Sequence, residues 1–163
     1  MKKKFTLMAL CLLLGNQAYA QMPVPLLDES TAKQTGLKTR WGVTSKLIVD
    51  ALECKTILNP HDERLSAYLR ESPAGSGTWL LVNVPEPLKV FGMPVVSTAF
   101  YIDESGELGA SYTSVIEAPQ PIVNKQAQIV KSNERSTAVG SLRTEHPQKT
   151  TNLICTVQGT QTE

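Results

Sequence analysis

Two cysteines, Cys54 and Cys155, bracket most of the chain, and any fold the sequence adopts has to account for them. The third cysteine, Cys11, belongs to the opening stretch MKKKFTLMALCLLLGNQAYA. Lysines come first there, then an apolar run over about residues 7–14, then an Ala18-Tyr19-Ala20 exit, which is the three-part layout of a secretory signal peptide. A membrane-spanning helix needs roughly 20 apolar residues, and this run is far shorter. A lipid-modified Cys11 would need a small residue before it, where Leu10 stands. Cleavage after Ala20 is expected, leaving 21–163 as one globular domain. Export follows, to the periplasm if the source is Gram-negative and to the medium otherwise. In an oxidising compartment the two remaining cysteines are expected to pair. The bond would close a loop of about 100 residues, for which chain entropy gives at most about 4.7 kcal/mol. It would set 52–55 beside 154–156.

Removing the leader also changes the charge. Lys2, Lys3 and Lys4 leave, so 16 basic residues become 13 against 15 acidic ones, and +1 becomes −2. A slightly acidic domain offers no basic stripe for nucleic acid, and no Lys/Arg-rich amphipathic helix for a membrane surface. Neither is expected as a partner.

Along the chain, 21–27 carries Pro23 and Pro25 and reads as an extended lead-in. Residues 30–36 suggest a short helix capped by Ser30 and stopped by Gly36. The aromatic and β-branched cluster Trp41, Val43, Leu47, Ile48 and Val49 reads as a strand over 46–57, with a helix over 45–53 as the competitor. Asn59-Pro60 followed by Asp62 and Glu63 is a helix-start signature, and Leu65, Tyr68 and Leu69 recur at helical spacing. One clear helix is therefore expected over about 60–71. Strands follow over 79–84, 88–91, 95–102 and 107–116, the last two joined through Asp103-Glu104-Ser105-Gly106. A second short helix is expected over about 122–131, then a closing hairpin of 137–143 with 151–158. The sum is an α+β domain with a mainly antiparallel sheet and a helix packed on it.

The expected strand over 95–102 is plainly polar on neither register. Such a strand is either covered on both faces or turns one face to a partner. Phe91, Met93 and Tyr101 are the candidate partner-contact residues. Phe91-Gly92-Met93-Pro94 is a bend in which apolar side chains are hard to bury, the alternative being that Phe91 and Met93 turn inward to cap the core.

Chemistry-bearing groups are sparse. His61 and His146 are isolated, no Gly-x-Ser-x-Gly elbow precedes a helix, and no Cys-x-x-Cys or phosphate loop is present. Asp103, Ser105 and Glu107 alternate as calcium ligands do, but the remainder of an EF-hand loop is missing, and a solvated hairpin tip is the expectation. No catalytic set, metal or cofactor is expected. The sequence supports a small exported binding protein that acts through a surface on another protein, inhibitor- or immunity-like. The alternatives are an accessory subunit of an envelope assembly and an uncharacterised hydrolase.

Overall fold

The computed structural model describes residues 29–73, 77–130, 132–145 and 149–160, and for 29–35, 37 and 39 the backbone only. The leader at 1–20, the lead-in at 21–27 and His146 lie outside the described residues. Among the described residues helix α1 (Glu29–Leu52) comes first, followed through turns by β1 (Leu69–Glu71), β2 (Thr78–Leu81), β3 (Lys89–Val90), β4 (Met93–Ile102) and β5 (Ala110–Ile116). A short helix α2 (Gln120–Gln126) precedes β6 (Glu134–Ser136), β7 (Gly140–Glu145) and β8 (Thr151–Val157). Seven strands lie in the order β1-β2-β4-β5-β8-β7-β6, and β3 pairs with β4 off this path. Every pairing is antiparallel. The α+β class and the antiparallel sheet stand as expected.

The principal helix does not lie at 60–71. It is α1, which runs through Gly36 without stopping and occupies the segment read as a strand. Its inward positions are Trp41, Thr44, Ile48, Ala51 and Leu52, all buried. Their spacing of three, four, three and one is one helical stripe. The stripe is hard to see because Thr44 interrupts it with a hydroxyl, which donates to the Arg64 carbonyl at 2.9 Å.

The 60–71 segment keeps the anchors the sequence announces but not the helix. Asn59 Oδ1 takes the His61 N–H at 3.0 Å, so the capping chemistry is present. Asp62 Oδ1 then takes the Arg64 N–H, and the Ser66 hydroxyl donates to the Glu63 carbonyl. Side chains bonding locally to backbone compete with an i→i−4 ladder. The chain advances by turns, Leu65 N–H to the Asp62 carbonyl and Tyr68 N–H to Leu65, and enters β1 at Leu69. Leu65, Tyr68 and Leu69 are nonetheless buried, and the Tyr68 ring lies 4.9 Å from Trp41.

Both helices pack on one face of the sheet. α1 contacts β5, β8 and β3, while α2 contacts β7 and β8. The central inward row is Trp79, Phe100, Tyr112, Cys155, Leu142 and Arg135, one residue from each of six strands in register. Cys54 reaches this row from the end of α1 and bonds Cys155, with their Cα atoms 5.3 Å apart. The expected disulfide is present, but a helix end, not a strand, delivers it.

Candidate functional site: the open sheet face

Side chains alternate across a strand, so the row beside the inward one points the other way. It consists of Thr78, Tyr101, Ser111, Thr156, Ser141 and Ser136, again one per strand and in register. Six hydroxyls thus form a continuous cross-strand line about 24 Å long at ~4.8 Å per strand. The next row, Ala99, Thr113, Ile154, Arg143 and Glu134, is small only on β4 and β5. Ile154 is only 7% exposed yet does not belong to the core cluster, because it sits on the far face, shaded by its neighbours. Arg143 bonds Glu145 along β7 at 2.6 Å, and Glu134, its cross-strand neighbour on β6, adds a second carboxylate to this face. Among the described residues no helix or loop covers it: α1 and α2 both lie on the opposite side.

Tyr101 is the largest side chain of the face and is 38% exposed. Phe91 and Met93 are elsewhere. The pairing of β4 with β5 shifts between Val95 and Ser97, leaving Val96 as an extra residue. A bulge inverts the alternation. Phe100 and Thr98 are on the helix side, and so are Val95, opposite buried Ile116, and Met93. Val96 itself stands 62% exposed. The bulge is why 95–102 is plainly polar on neither register in the sequence. Met93 and Phe91 are partly buried against the core, on the face away from Tyr101 and at the other end of β4.

Phe91 is held firmly where it is. It and Gly92 have φ of 48° and 77°, the pair of positive values that a two-residue type I′ hairpin between β3 and β4 requires. Its N–H donates to Oε1 of Glu53 at 2.7 Å, and the Arg135 guanidinium lies 5.9 Å from its ring. Glu53, 7% exposed, also pairs with Lys55, whose ammonium pKa is raised mainly by that hydrogen bond. This cluster fastens the β3–β4 hairpin to the end of α1.

Asp103 organises the β4–β5 loop, which is longer than the expected four residues because Ile102 pairs with Ala110. Its Oδ2 takes the Leu108 N–H and the Ser105 hydroxyl, each at 2.7 Å, and Oδ1 takes the Ser105 N–H at 3.2 Å. These donors, Leu108 foremost, hold its carboxyl below the ordinary range. Its oxygens serve the loop, in keeping with a hairpin tip. Among the described residues no group of three or more His, Cys, Asp or Glu is placed to hold a metal ion. His61 Nε2 lies 3.1 Å from Glu104 Oε1, and its ring meets Trp79 edge-on at 5.7 Å. The histidine thereby ties the 59–68 turns to the hairpin tip.

Among the described residues no helix is long and apolar enough to cross a membrane. Comparison of the chain with protein-family models, with curated proteins and with solved structures finds no match.

Proposed function

We propose that the protein is a small exported binding protein that acts by contact, without catalysis, and that its contact surface for another protein is the open face of the sheet. One observation carries the reading. A sheet whose inward face is filled by two helices leaves the other face uncovered, with its charges Arg70, Glu134, Arg143 and Glu145 on the outer strands and its centre lined by short hydroxyl side chains around Tyr101 and Ile154. Short side chains lose little rotamer entropy when they are covered, so such a face binds without a large ordering penalty. The disulfide behind it keeps the surface preformed, and it is the form cysteines take in an oxidising compartment, which is compatible with export. An inhibitor or an immunity protein works in this manner.

A second reading, an accessory subunit of an envelope assembly, is favoured by Leu80, an apolar side chain on the face of Thr78 that is 39% exposed. A permanently docked neighbour would cover it. Both readings are tested by placing a photo-crosslinking residue at Thr113 and, as control, at Val130, which is 87% exposed. The expected result in the producing cell is a discrete adduct from 113 and none from 130. A partner that co-purifies in fixed ratio would select the subunit reading, and a separable one the inhibitor reading. Equal adducts from both positions, or none, would overturn the assignment of this face.

A further inference from the structure

The row beside the hydroxyl line crosses the whole sheet. On β4, β5, β8, β7 and β6 it holds Ala99, Thr113, Ile154, Arg143 and Glu134. Leu80 stands two residues along β2 from Thr78, and Arg70, paired with it on β1, closes the row. The charges at the two ends are opposite in sign, and both side chains are exposed. Among the described residues neither Arg70 nor Glu134 has an ion-pair partner.

In the order β1-β2-β4-β5-β8-β7-β6 the central strand is β5, so β1 and β6 are equally far from it. A two-fold axis along β5, between two sheets packed face to face, keeps each row opposite itself and reverses the strand order. β1 of one copy then lies over β6 of the other, β2 over β7 and β4 over β8. Arg70 meets Glu134 of the second copy, and the symmetry makes that contact twice. Ala99 meets Ile154, Leu80 meets the aliphatic stem of Arg143, and Thr113 meets itself. Edge charges of one sign would instead repel twice.

The size of the face fits a reversible pair. Spacings of ~4.8 Å between strands and ~3.4 Å between residues give it ~600 Å² per copy. The pair buries ~1,200 Å², the lower end of the range for specific interfaces. Short side chains at the centre suit sheets ~10 Å apart in aligned packing, and the long ones at the edges reach across.

We infer that two copies of this chain pair through their open faces about a two-fold axis along β5, held by reciprocal contacts between Arg70 and Glu134. The pairing rests on the geometry of the open face, not on the partner reading, and a protein partner reaching this face competes with the second copy. Sedimentation equilibrium of the purified mature chain should show a monomer–dimer equilibrium with a micromolar dissociation constant. Arg70→Glu and Glu134→Arg should each weaken it about tenfold or more, because each sets like charges against one another twice. The double variant Arg70→Glu/Glu134→Arg should restore the dimer, and the thermal melts of all three monomers should match that of the parent. A monomer at every concentration, a dimer indifferent to both single reversals, or a double variant no better than the singles would overturn the inference. Each of these would leave the partner reading standing, since that is tested by an adduct with a different protein from position 113 in the producing cell. A charge-sensitive dimer without such an adduct would support the pairing and remove the partner reading alone.

Discussion

Tyr112 shows how single polar atoms hold this core together. Its ring is fully buried in the central row, and its hydroxyl oxygen accepts the Leu58 N–H at 3.0 Å, with burial pushing the phenol pKa up. Tyr112→Phe keeps the ring but leaves the Leu58 donor buried without a partner. The expected loss is ~1–3 kcal/mol, read from the urea midpoint. Asp103 supplies the pH dependence. Its folded pKa is depressed below 3.8 by backbone N–H donors, so its stabilising contribution is fully present above that value. It is lost as pH falls through the folded pKa. Asp62, lowered to about 2 mainly by the Arg64 guanidinium, behaves in the same direction. The melting temperature should therefore decline between about pH 4 and pH 2. Asp103→Asn should lower it at neutral pH and make the acid decline shallower, with the remaining slope due to Asp62.

At the scale of elements, both helices finish in the same way. At the end of α1 the Cys54 N–H bonds the Ala51 carbonyl and the Lys55 N–H bonds Asp50, with Cys54 at φ 61°. At the end of α2 the Gln128 N–H bonds Lys125 and the Ile129 N–H bonds Asn124, with Gln128 at φ 57°. These are Schellman closures with a residue other than glycine at the left-handed position. A side chain there costs ~1–2 kcal/mol, partly offset by the greater unfolded-state freedom of glycine. Gln128→Gly, at an exposed site, should raise stability by up to ~1 kcal/mol, measured by thermal or urea unfolding. The missing glycines also explain why the element ends were hard to read in the sequence. A short helix was legible at about 122–131, but it runs over Gln120–Gln126, and nothing at Gln128 announces the stop. The segment 41–52 carried a helical stripe hidden by Thr44 and by the β-branched Ile48-Val49 pair, whereas 59–69 carried a start signal whose Asp62 and Ser66 turn back on their own backbone. In both places the local reading failed, the expected strand over 46–57 being largely helix and the expected helix over 60–71 a run of turns, because tertiary packing overrides local propensity. The open face was partly visible, since Ser97, Ala99 and Tyr101 alternate in the sequence. The hydroxyl line was not, because it exists only once strand order and the Val96 bulge set the register.

For the molecule as a whole, the Cys54–Cys155 bond joins two different kinds of structure. It ties the left-handed residue that ends α1 to the centre of β8, in the row that also holds Tyr112 and Phe100. With a sequence separation of 101, the loop it closes takes in the 55–69 turns, all strands but part of β8, and α2. Reduction would leave every packed contact of the native fold available, so its principal effect is to free the unfolded chain. Oxidised protein should exceed the Cys54→Ser/Cys155→Ser variant by ~2–4 kcal/mol, below the ~4.7 kcal/mol chain-entropy ceiling. The urea m-value of the variant should be larger, because an uncrosslinked chain exposes more surface on unfolding. A second variant separates the bond from the backbone geometry it coexists with. Cys54→Gly/Cys155→Ala also lacks the bridge but removes the left-handed side chain, so it should recover ~1 kcal/mol relative to the serine pair. Equal urea midpoints for oxidised protein and serine variant would mean that burial of the end of α1 by Ile48, Ala51 and Leu52 already fixes the helix on the sheet. The open face would then owe its rigidity to packing instead of to the covalent tie.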